Sequence, residues 1–155
     1  MILYKKVLQL FLSMAMSLAI LFAFTGVAIA DSGTITINMT GFENNTGQVL
    51  VAVFASETGF PEDTDEVYAY TFVNVISNNQ ASTRIQNLPY GSYAVAVIHD
   101  ENRNFDLDKR AFGIPTEGIG FSNNVRGRFG PPDFEDAAVN LNRAQLSISI
   151  EMYYY

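Results

Sequence analysis

The chain of 155 residues has 16 acidic and 9 basic residues, no cysteine, and a formal net charge of −7 at pH 7. This acidic balance argues against nucleic acid as a partner, because phosphate backbones bind basic surfaces. The lack of cysteine in the sequence excludes disulfides and thiolate metal sites, so stability has to come from packing, with or without a bound ion.

The first 30 residues predict a secretory signal peptide. Lys5 and Lys6 precede a long apolar stretch, and the small-x-small sequence Ala28-Ile29-Ala30 stands directly before Asp31. This order is typical of a signal that is cleaved after residue 30. The alternative is an uncleaved anchor, because the apolar stretch is long enough to span a bilayer. With cleavage we expect export to the periplasm or the extracellular space, without stable membrane insertion.

Cleavage would leave residues 31–155 as the mature chain. Their number, 125, is typical of a single domain. The removed segment contains two lysines and no acidic residue, so the formal net charge becomes −9. We therefore expect one strongly acidic domain after the signal peptide.

Apolar residues after the predicted signal recur at every second position, which indicates β-strands. Most of these strands alternate apolar and polar residues, as strands with one buried face do. QVLVAVFA at 48–55 is apolar on both faces and is expected to be covered on both sides. About seven short strands predict an all-β sandwich. They are expected at 34–39, 48–55 and roughly at 67–76, 81–86, 91–99, 134–142 and 146–153.

The segment from 100 to 133 shows no clear strand or helix pattern. Loops of this length inside a compact domain are usually functional or disordered. The apolar residues in this one favour a loop that is ordered and packed on the sandwich. We expect Phe121 and Phe134 to anchor it, and Asn123 and Asn124 to serve the backbone through left-handed conformations or capping.

The loop begins with HDENRNFDLD at 99–108, where oxygen-bearing side chains alternate: Asp100, Asn102, Asn104, Asp106 and Asp108. Calcium takes about six to eight oxygen ligands, and the first three of these residues match the EF-hand pattern. Phe105 replaces the glycine of that pattern, and Ala111 stands where its bidentate glutamate belongs. We therefore expect an EF-hand-like calcium turn that Asp106, Asp108 and Glu117 complete.

The alternative for this stretch is a hydrated turn without an ion. Asparagine and aspartate side chains commonly accept hydrogen bonds from nearby backbone N–H groups in loops. In that case Arg103, Lys109 and Arg110, and not a cation, would offset the repulsion among the carboxylates. The sequence leaves both interpretations open.

His99 is the single histidine of the chain and is followed by Asp100 and Glu101. A histidine oriented by a carboxylate can act as a general base, and Ser122 is the one serine of the long loop that could serve as a nucleophile. The alternative, which we favour, is a packed histidine whose ring pins the turn. The sequence contains no phosphate-binding loop, nucleophile elbow or histidine pair at metal-ligand spacing.

Three stretches in order carry a family resemblance: LPYGSYAVAVIHDENRNFDLD, GIPTEGIGFSNN and GPPDFEDAAV. With them, the chain from about Gly33 to Tyr153 resembles the domain of unknown function 2141 family of secreted bacterial proteins. The resemblance implies an immunoglobulin-like or prealbumin-like β-sandwich. The family usually has glycine where this turn has Phe105. LPYGSYAVAV is also similar to the strand entry of carboxypeptidase-regulatory-like and Cna-B-like sandwiches, which are mainly binding or stalk modules.

Together these features predict a secreted or periplasmic, non-enzymatic accessory or binding domain. Its calcium-stabilised loop at 100–133 would present a surface to a protein or glycan partner at the cell envelope. The alternative is a small extracytoplasmic hydrolase or carbohydrate-binding protein that uses a cleft near His99. An enzyme would bring His99, Glu117 and a nucleophile or water within hydrogen-bond reach, whereas a binding domain would leave His99 packed.

Overall fold

The computed structural model describes residues 31–74, 76–128 and 130–155, and the signal peptide expected at 1–30 lies outside them. These residues form eight strands and one short α-helix, which confirms the all-β class. The elements are β1 (Ser32–Thr40), β2 (Gln48–Phe54), β3 (Ala69–Val73), β4 (Gln80–Pro89), β5 (Gly91–Asp100), β6 (Gly118–Phe121), α1 (Phe134–Ala137), β7 (Val139–Leu141) and β8 (Gln145–Glu151). Among the described residues, no helix is both long and apolar enough to cross a membrane.

The strands form two sheets that share one core. In the first sheet β1 lies in the centre, antiparallel to β4 and parallel to β8. In the second sheet the order is β3-β2-β5-β6, and every pairing is antiparallel. β7 pairs antiparallel with the first residues of β5, outside this strand order. The result is a two-layer sandwich, as the strand pattern predicts.

The main core lies between the two sheets, and the period-two alternation of the strands explains it. In β1, Ile35, Ile37 and Met39 are fully buried, and the residues between them are half-buried. Val95 and Val97 of β5 enter the same core from the opposite sheet. Because successive side chains of a strand point to opposite faces, every second residue reaches the core.

A second apolar layer covers part of the outer face of the second sheet. Strand β2 serves both layers, as its sequence predicts: Val53 points into the main core and Phe54 into the outer layer. The ring centroid of Phe54 lies 5.3 Å from that of Phe60, with the rings nearly perpendicular. Phe121 and Phe134 also pack edge to face against Phe60, with centroids at 6.1 and 5.8 Å. These two rings attach the long loop to the sandwich.

The segment from 100 to 133 contains a strand that the sequence pattern did not reveal. Strand β6 pairs antiparallel with the end of β5. Gly118 lets the ring of Tyr154 lie where a Cβ atom would be, and a Cβ on Gly120 would lie 2.7 Å from Cγ2 of Ile150. Two glycines in four residues hide the strand from a hydrophobic pattern, yet this close packing requires them.

The strand expected at 134–142 is wrong in its first half, where α1 stands in its place and only β7 is extended. The backbone can form this helical turn because loop side chains donate hydrogen bonds to the carbonyl groups at the end of the helix. Ser122 donates a hydrogen bond to the carbonyl of Ala137. Asn123 donates from Nδ2 to the carbonyls of Asp136 and Ala138, both at 3.0 Å.

The predicted role of the asparagine pair in the loop is confirmed. Asn123 and Asn124 have φ angles of 58° and 55°, in the left-handed region. Asn124 accepts a hydrogen bond from the backbone N–H of Glu151 at 2.8 Å, which ties the loop to β8.

Candidate functional site

Asp100 ends β5 and organises the turn that follows it. The residue is fully buried. Its Oδ2 accepts hydrogen bonds from Gln48 Nε2 at 2.7 Å and from the backbone N–H of Phe105 at 3.0 Å, and its Oδ1 accepts from the N–H of Asn104 at 3.1 Å. Burial by itself raises the pKa of Asp100, but the hydrogen bonds from Gln48 and from the turn outweigh burial and hold the pKa below its usual value.

Two asparagines and Asp108 form the exposed side of the same turn. Asn102 Nδ2 donates to Asp108 Oδ2 at 2.6 Å, and Asn104 Nδ2 donates to Asp108 Oδ1 at 3.1 Å. The amide oxygens face inward: Oδ1 of Asn102 accepts from the N–H of Asn104, and Oδ1 of Asn104 accepts from the N–H of Asp106. These contacts are Asx turns of the kind that the hydrated-turn interpretation predicts.

Glu117, the residue directly before β6, closes the turn. It is 5% exposed, and its two oxygens accept backbone N–H groups from both ends of the turn, from Glu101 at 3.0 Å and from Asp108 at 3.1 Å. Burial raises the pKa of Glu117, and the negative charges of Asp108 and Asp100 add to the shift, although the two backbone hydrogen bonds oppose it. The carboxylate therefore acts as a clasp across the turn.

Phe105 takes the backbone conformation of the glycine that it replaces. Its φ angle is 63°, and that of Arg103 is also 63°. A left-handed conformation costs a non-glycine residue roughly 1–2 kcal/mol, so the turn keeps the glycine geometry against a local penalty. The exposed Phe105 ring lies edge to face against Phe72 of β3, with centroids at 5.8 Å.

Side chains of five of the six residues expected to bind calcium belong to one hydrogen-bonded network: Asp100, Asn102, Asn104, Asp108 and Glu117. The sixth, Asp106, accepts the N–H of Leu107 and lies at the edge of a groove. Within residues 31–74, 76–128 and 130–155, no three acidic or histidine side chains could hold an ion together. Calcium would therefore have to draw on amide oxygens as well, and both asparagine side chains would have to turn to present them.

His99 is packed inside the protein. It is fully buried, and its edge contacts the ring of Phe42, with centroids 5.1 Å apart. Nε2 lies 2.9 Å from the carbonyl of Thr46, which can only accept, so Nε2 donates to it, and Nδ1 forms a hydrogen bond with the hydroxyl of Tyr154 at 2.8 Å. Glu101 Oε1 is 3.7 Å from Nδ1, beyond hydrogen-bond distance.

Ser122 is not arranged as a nucleophile for His99. It is fully buried, its hydroxyl donates to the carbonyl of Ala137, and the same oxygen accepts from the N–H of Val95 at 2.9 Å. Both hydrogen-bonding functions of the hydroxyl are thus used by the backbone. The hydrogen bonds of His99 and Ser122 therefore join neighbouring segments of the fold.

A large groove lies on the outer face of the second sheet, beside the aromatic layer. Its volume is about 990 Å³, within the range of small-ligand pockets. Aliphatic side chains of the sheet and loop line its floor, and they include Leu50, Ala52, Ile98, Leu107 and Ile114. Aromatic side chains with large exposed fractions stand around it: Tyr70 at 80%, Phe72 at 47%, Phe105 at 61%, Phe112 at 101% and Tyr155 at 59%.

The formal charges of the residues that line this groove nearly cancel. Two acidic and two basic side chains line it: Glu62, Asp106, Lys109 and Arg128. Lys109 Nζ and Glu62 Oε1 form an ion pair at 2.7 Å, which bridges two of the loops that frame the groove. The groove is therefore apolar and close to neutral, although the chain as a whole is acidic.

Sequence reasoning missed this groove, because its residues come from segments far apart in the chain. One local signal was available: in AYTFV of β3, the large apolar residues Tyr70 and Phe72 occupy the outward positions. On a strand whose other face reaches the core, outward aromatic residues indicate a surface with a partner. Phe105, at a position that favours glycine, was a second signal.

Comparison with known proteins identifies one family. The model of the family described as uncharacterized proteins conserved in bacteria (DUF2141) matches residues 37–149, well over half of the chain. No curated protein and no solved structure matches this chain. The matched range includes the whole turn, the clasp at Glu117 and the strands that form the groove floor. The chain belongs to the DUF2141 family, as the three sequence stretches predict.

Proposed function

We propose that this chain is an exported, non-enzymatic binding domain that holds an uncharged, apolar part of a protein or glycan partner in the aromatic groove. The groove is the observation that carries the proposal. Exposed aromatic side chains surround it in numbers that a soluble surface rarely carries without a partner. Its nearly cancelling charges favour an uncharged ligand group, because burying an unpaired charge there would be costly.

Binding of a neutral, apolar naphthylamine dye tests this proposal. We expect saturable binding with one dye per chain, and Phe112→Ala should weaken it about tenfold, the effect of losing roughly 1.4 kcal/mol of contact with one ring. Phe112 is fully exposed, so its removal leaves the folded chain intact. The matched control is Tyr90→Ala, an exposed aromatic residue outside the groove. No saturable binding, or equal loss in both variants, would contradict the proposal.

The same proposal includes a calcium ion that stabilises the loop through Asp100, Asn102, Asn104, Asp106, Asp108 and Glu117. Its support is the order of oxygen side chains and the glycine-like conformation of Phe105. We expect a weak site, with Kd on the order of 10⁻⁴ to 10⁻³ M. At a hundred times Kd, calcium would add about 2.7 kcal/mol to folding. Magnesium should add much less, because it demands a smaller octahedral site.

Thermal unfolding distinguishes a calcium site from a hydrated turn. Calcium should raise Tm of the wild-type chain, and Asp108→Ala should remove the effect, whereas the exposed control Asp136→Ala should keep it. Asp100→Ala is less suitable here, because Asp100 also holds the turn through three hydrogen bonds. An unchanged wild-type Tm in millimolar calcium would leave the hydrated turn as the correct interpretation.

Export and the finer fold class are part of the proposal. We infer that residues 1–30 are a signal peptide cleaved before Asp31, and that the sandwich is of the immunoglobulin-like or prealbumin-like kind. Mass spectrometry of the exported protein tests cleavage, since an intact Met1 would indicate a retained anchor. Catalysis near His99 is not proposed, because no observation favours it: the ring is buried and both its nitrogen atoms have partners.

A further inference from the structure

Strand β3 ends the second sheet, and one of its sides has no strand partner among the described residues. It pairs only with β2. Tyr70 and Phe72 project from it with exposed fractions of 80% and 47%. The free side therefore offers unpaired backbone N–H and C=O groups beside two exposed aromatic rings.

This edge lacks the protection that the other edges of the sandwich have. Natural edge strands avoid pairing through charges, proline, shortness or a covering segment. β4 carries Arg84, β8 carries Glu151, β7 has three residues, and Ile119 of β6 is bridged to Tyr153. The sequence of β3, AYTFV, has no charge and no proline. An edge strand without a strand partner, without charge and with aromatic side chains can receive another strand by backbone pairing.

We propose that β3 pairs antiparallel with β3 of a second copy of this chain, about a two-fold axis at Thr71. In this register Tyr70 of one copy lies opposite Phe72 of the other, and the pair occurs twice. Cross-strand aromatic pairs are among the stabilising pairs of antiparallel sheets. A two-fold axis makes the strand its own complement, which is the usual geometry of a homodimer.

Opposite charges lie at the two ends of β3, and the antiparallel arrangement places them opposite each other in the two copies. Asp65 and Glu66 lie in the exposed 3₁₀ turn before β3. At the other end, Arg103 donates to Asn74 Oδ1 at 3.3 Å and to the carbonyl of Gly47 at 2.8 Å. Within the described residues Arg103 forms no ion pair. Antiparallel pairing brings the acidic end of one strand to the Arg103 end of the other, twice.

This attraction matters because both copies are acidic: residues 31–155 have 16 acidic and 7 basic residues, a formal net charge of −9. Two acidic molecules repel each other at most orientations, but here the contact is uncharged in its centre and complementary at its ends. Pairing would also bring the two grooves together, because Tyr70 and Phe72 border each of them. The proposal of a dimer does not rest on the proposed ligand, since the edge of β3 and the charges at its ends are present whether or not the groove is occupied.

Cysteine cross-linking tests the register directly. The chain has no cysteine, so Thr71→Cys can form a disulfide only between two copies. Residues opposite each other in antiparallel strands have Cα atoms about 4.5–5.5 Å apart, which fits a disulfide. Ser147→Cys, on the exposed edge strand β8, is the matched control. Efficient dimer formation by Thr71→Cys alone supports the proposal, and equal yields from both variants contradict it.

Sedimentation equilibrium of residues 31–155, which contain both sheets, tests reversible association. We expect a monomer–dimer equilibrium that Tyr70→Lys weakens at least about tenfold, because each symmetric contact is lost twice. Tyr90→Lys, a change of another exposed tyrosine outside β3, should leave it unchanged. A wild-type chain that stays monomeric at every concentration overturns the proposal, as does a Tyr70→Lys variant that dimerises like wild type.

A charge exchange tests the ends of the strand. Glu66→Lys and Arg103→Glu should each weaken the dimer, and the double variant should recover most of the loss, since the exchanged charges again meet across the axis. Higher salt should weaken the wild-type dimer for the same reason. A double variant weaker than both single variants would refute the antiparallel arrangement, even if some other dimer formed.

Discussion

Replacing Glu117 tests whether its carboxylate holds the turn closed. In Glu117→Gln the amide keeps one oxygen acceptor but turns an NH₂ group toward the second backbone N–H, so one of the two hydrogen bonds is lost. A hydrogen bond to a charged group contributes about 1.5–3 kcal/mol, and the buried donor left behind adds a penalty. The neutral amide also removes repulsion from Asp108 and Asp100, which offsets part of the loss.

We therefore expect Glu117→Gln to lower the free energy of unfolding by about 1–3 kcal/mol, and Glu117→Ala by about 2–5 kcal/mol because both hydrogen bonds are lost. Urea unfolding at neutral pH measures both values from the shift in midpoint at an unchanged slope. The exposed control Glu135→Gln should change stability by no more than about 0.5 kcal/mol. A Glu117→Ala midpoint equal to that of the control would refute the clasp.

Three other predictions concern packing and pH. Phe121→Ala should cost about 3–5 kcal/mol because the ring is 5% exposed, and Phe134→Ala should cost less because its ring is only half-buried; urea midpoints of both variants check this order. Gly118→Ala should destabilise the chain by about 1–3 kcal/mol, since its Cβ would collide with the Tyr154 ring, and a wild-type midpoint would contradict this. The raised pKa of Glu117 means that the folded chain binds more protons than the unfolded one above about pH 4.3, so its contribution to stability declines as pH rises through the folded pKa. The lowered pKa of Asp100 has the opposite effect: its contribution to stability is present above about pH 3.9 and is lost as pH falls through the folded pKa. Urea unfolding across pH measures both effects. The pH dependence due to Glu117 should be missing in Glu117→Gln, and that due to Asp100 should be missing in Asp100→Asn.

The fold could be predicted wherever side-chain alternation was strong. β1 has buried residues at alternate positions and was recognised, and the two-faced apolar pattern of β2 correctly indicated layers on both sides. β5 was recognised as well, although its consecutive residues from Tyr93 to Val97 are all buried. Strand β6 could not be predicted because its close contacts with Tyr154 and Ile150 require glycine, and glycine adds nothing to a pattern of alternating hydrophobic residues. Helix α1 could not be predicted because Ser122 and Asn123 donate hydrogen bonds to the carbonyl groups at its end, and these two residues are distant from the helix in sequence but near it in space.

The site could be predicted less completely than the fold. The alternating oxygens of the turn were visible in the sequence, and Glu117 was named with them, but its use as an acceptor for two backbone N–H groups depends on β6 lying beside β5. The groove could not be seen because it is assembled from β2, β3, β5, β6, three loops and the tyrosines Tyr153 and Tyr155. A surface of this kind exists only once the second sheet has formed.

The parallel pairing of β1 with β8 sets the order in which this chain can fold. Thr34 lies beside Gln145 and Thr40 beside Glu151, so the first and last strands are neighbours in one sheet. Closing so long a stretch of chain carries an entropic cost that must be met before the pairing contributes. Until β8 arrives, β1 has β4 as its one neighbour in that sheet, and Ile35 and Ile37 lack the cover of Ile148 and Ile150. A chain that emerges from a membrane channel amino end first would therefore keep an open, aggregation-prone sheet until its last residues are through, and its yield should depend on chaperones that shield that sheet.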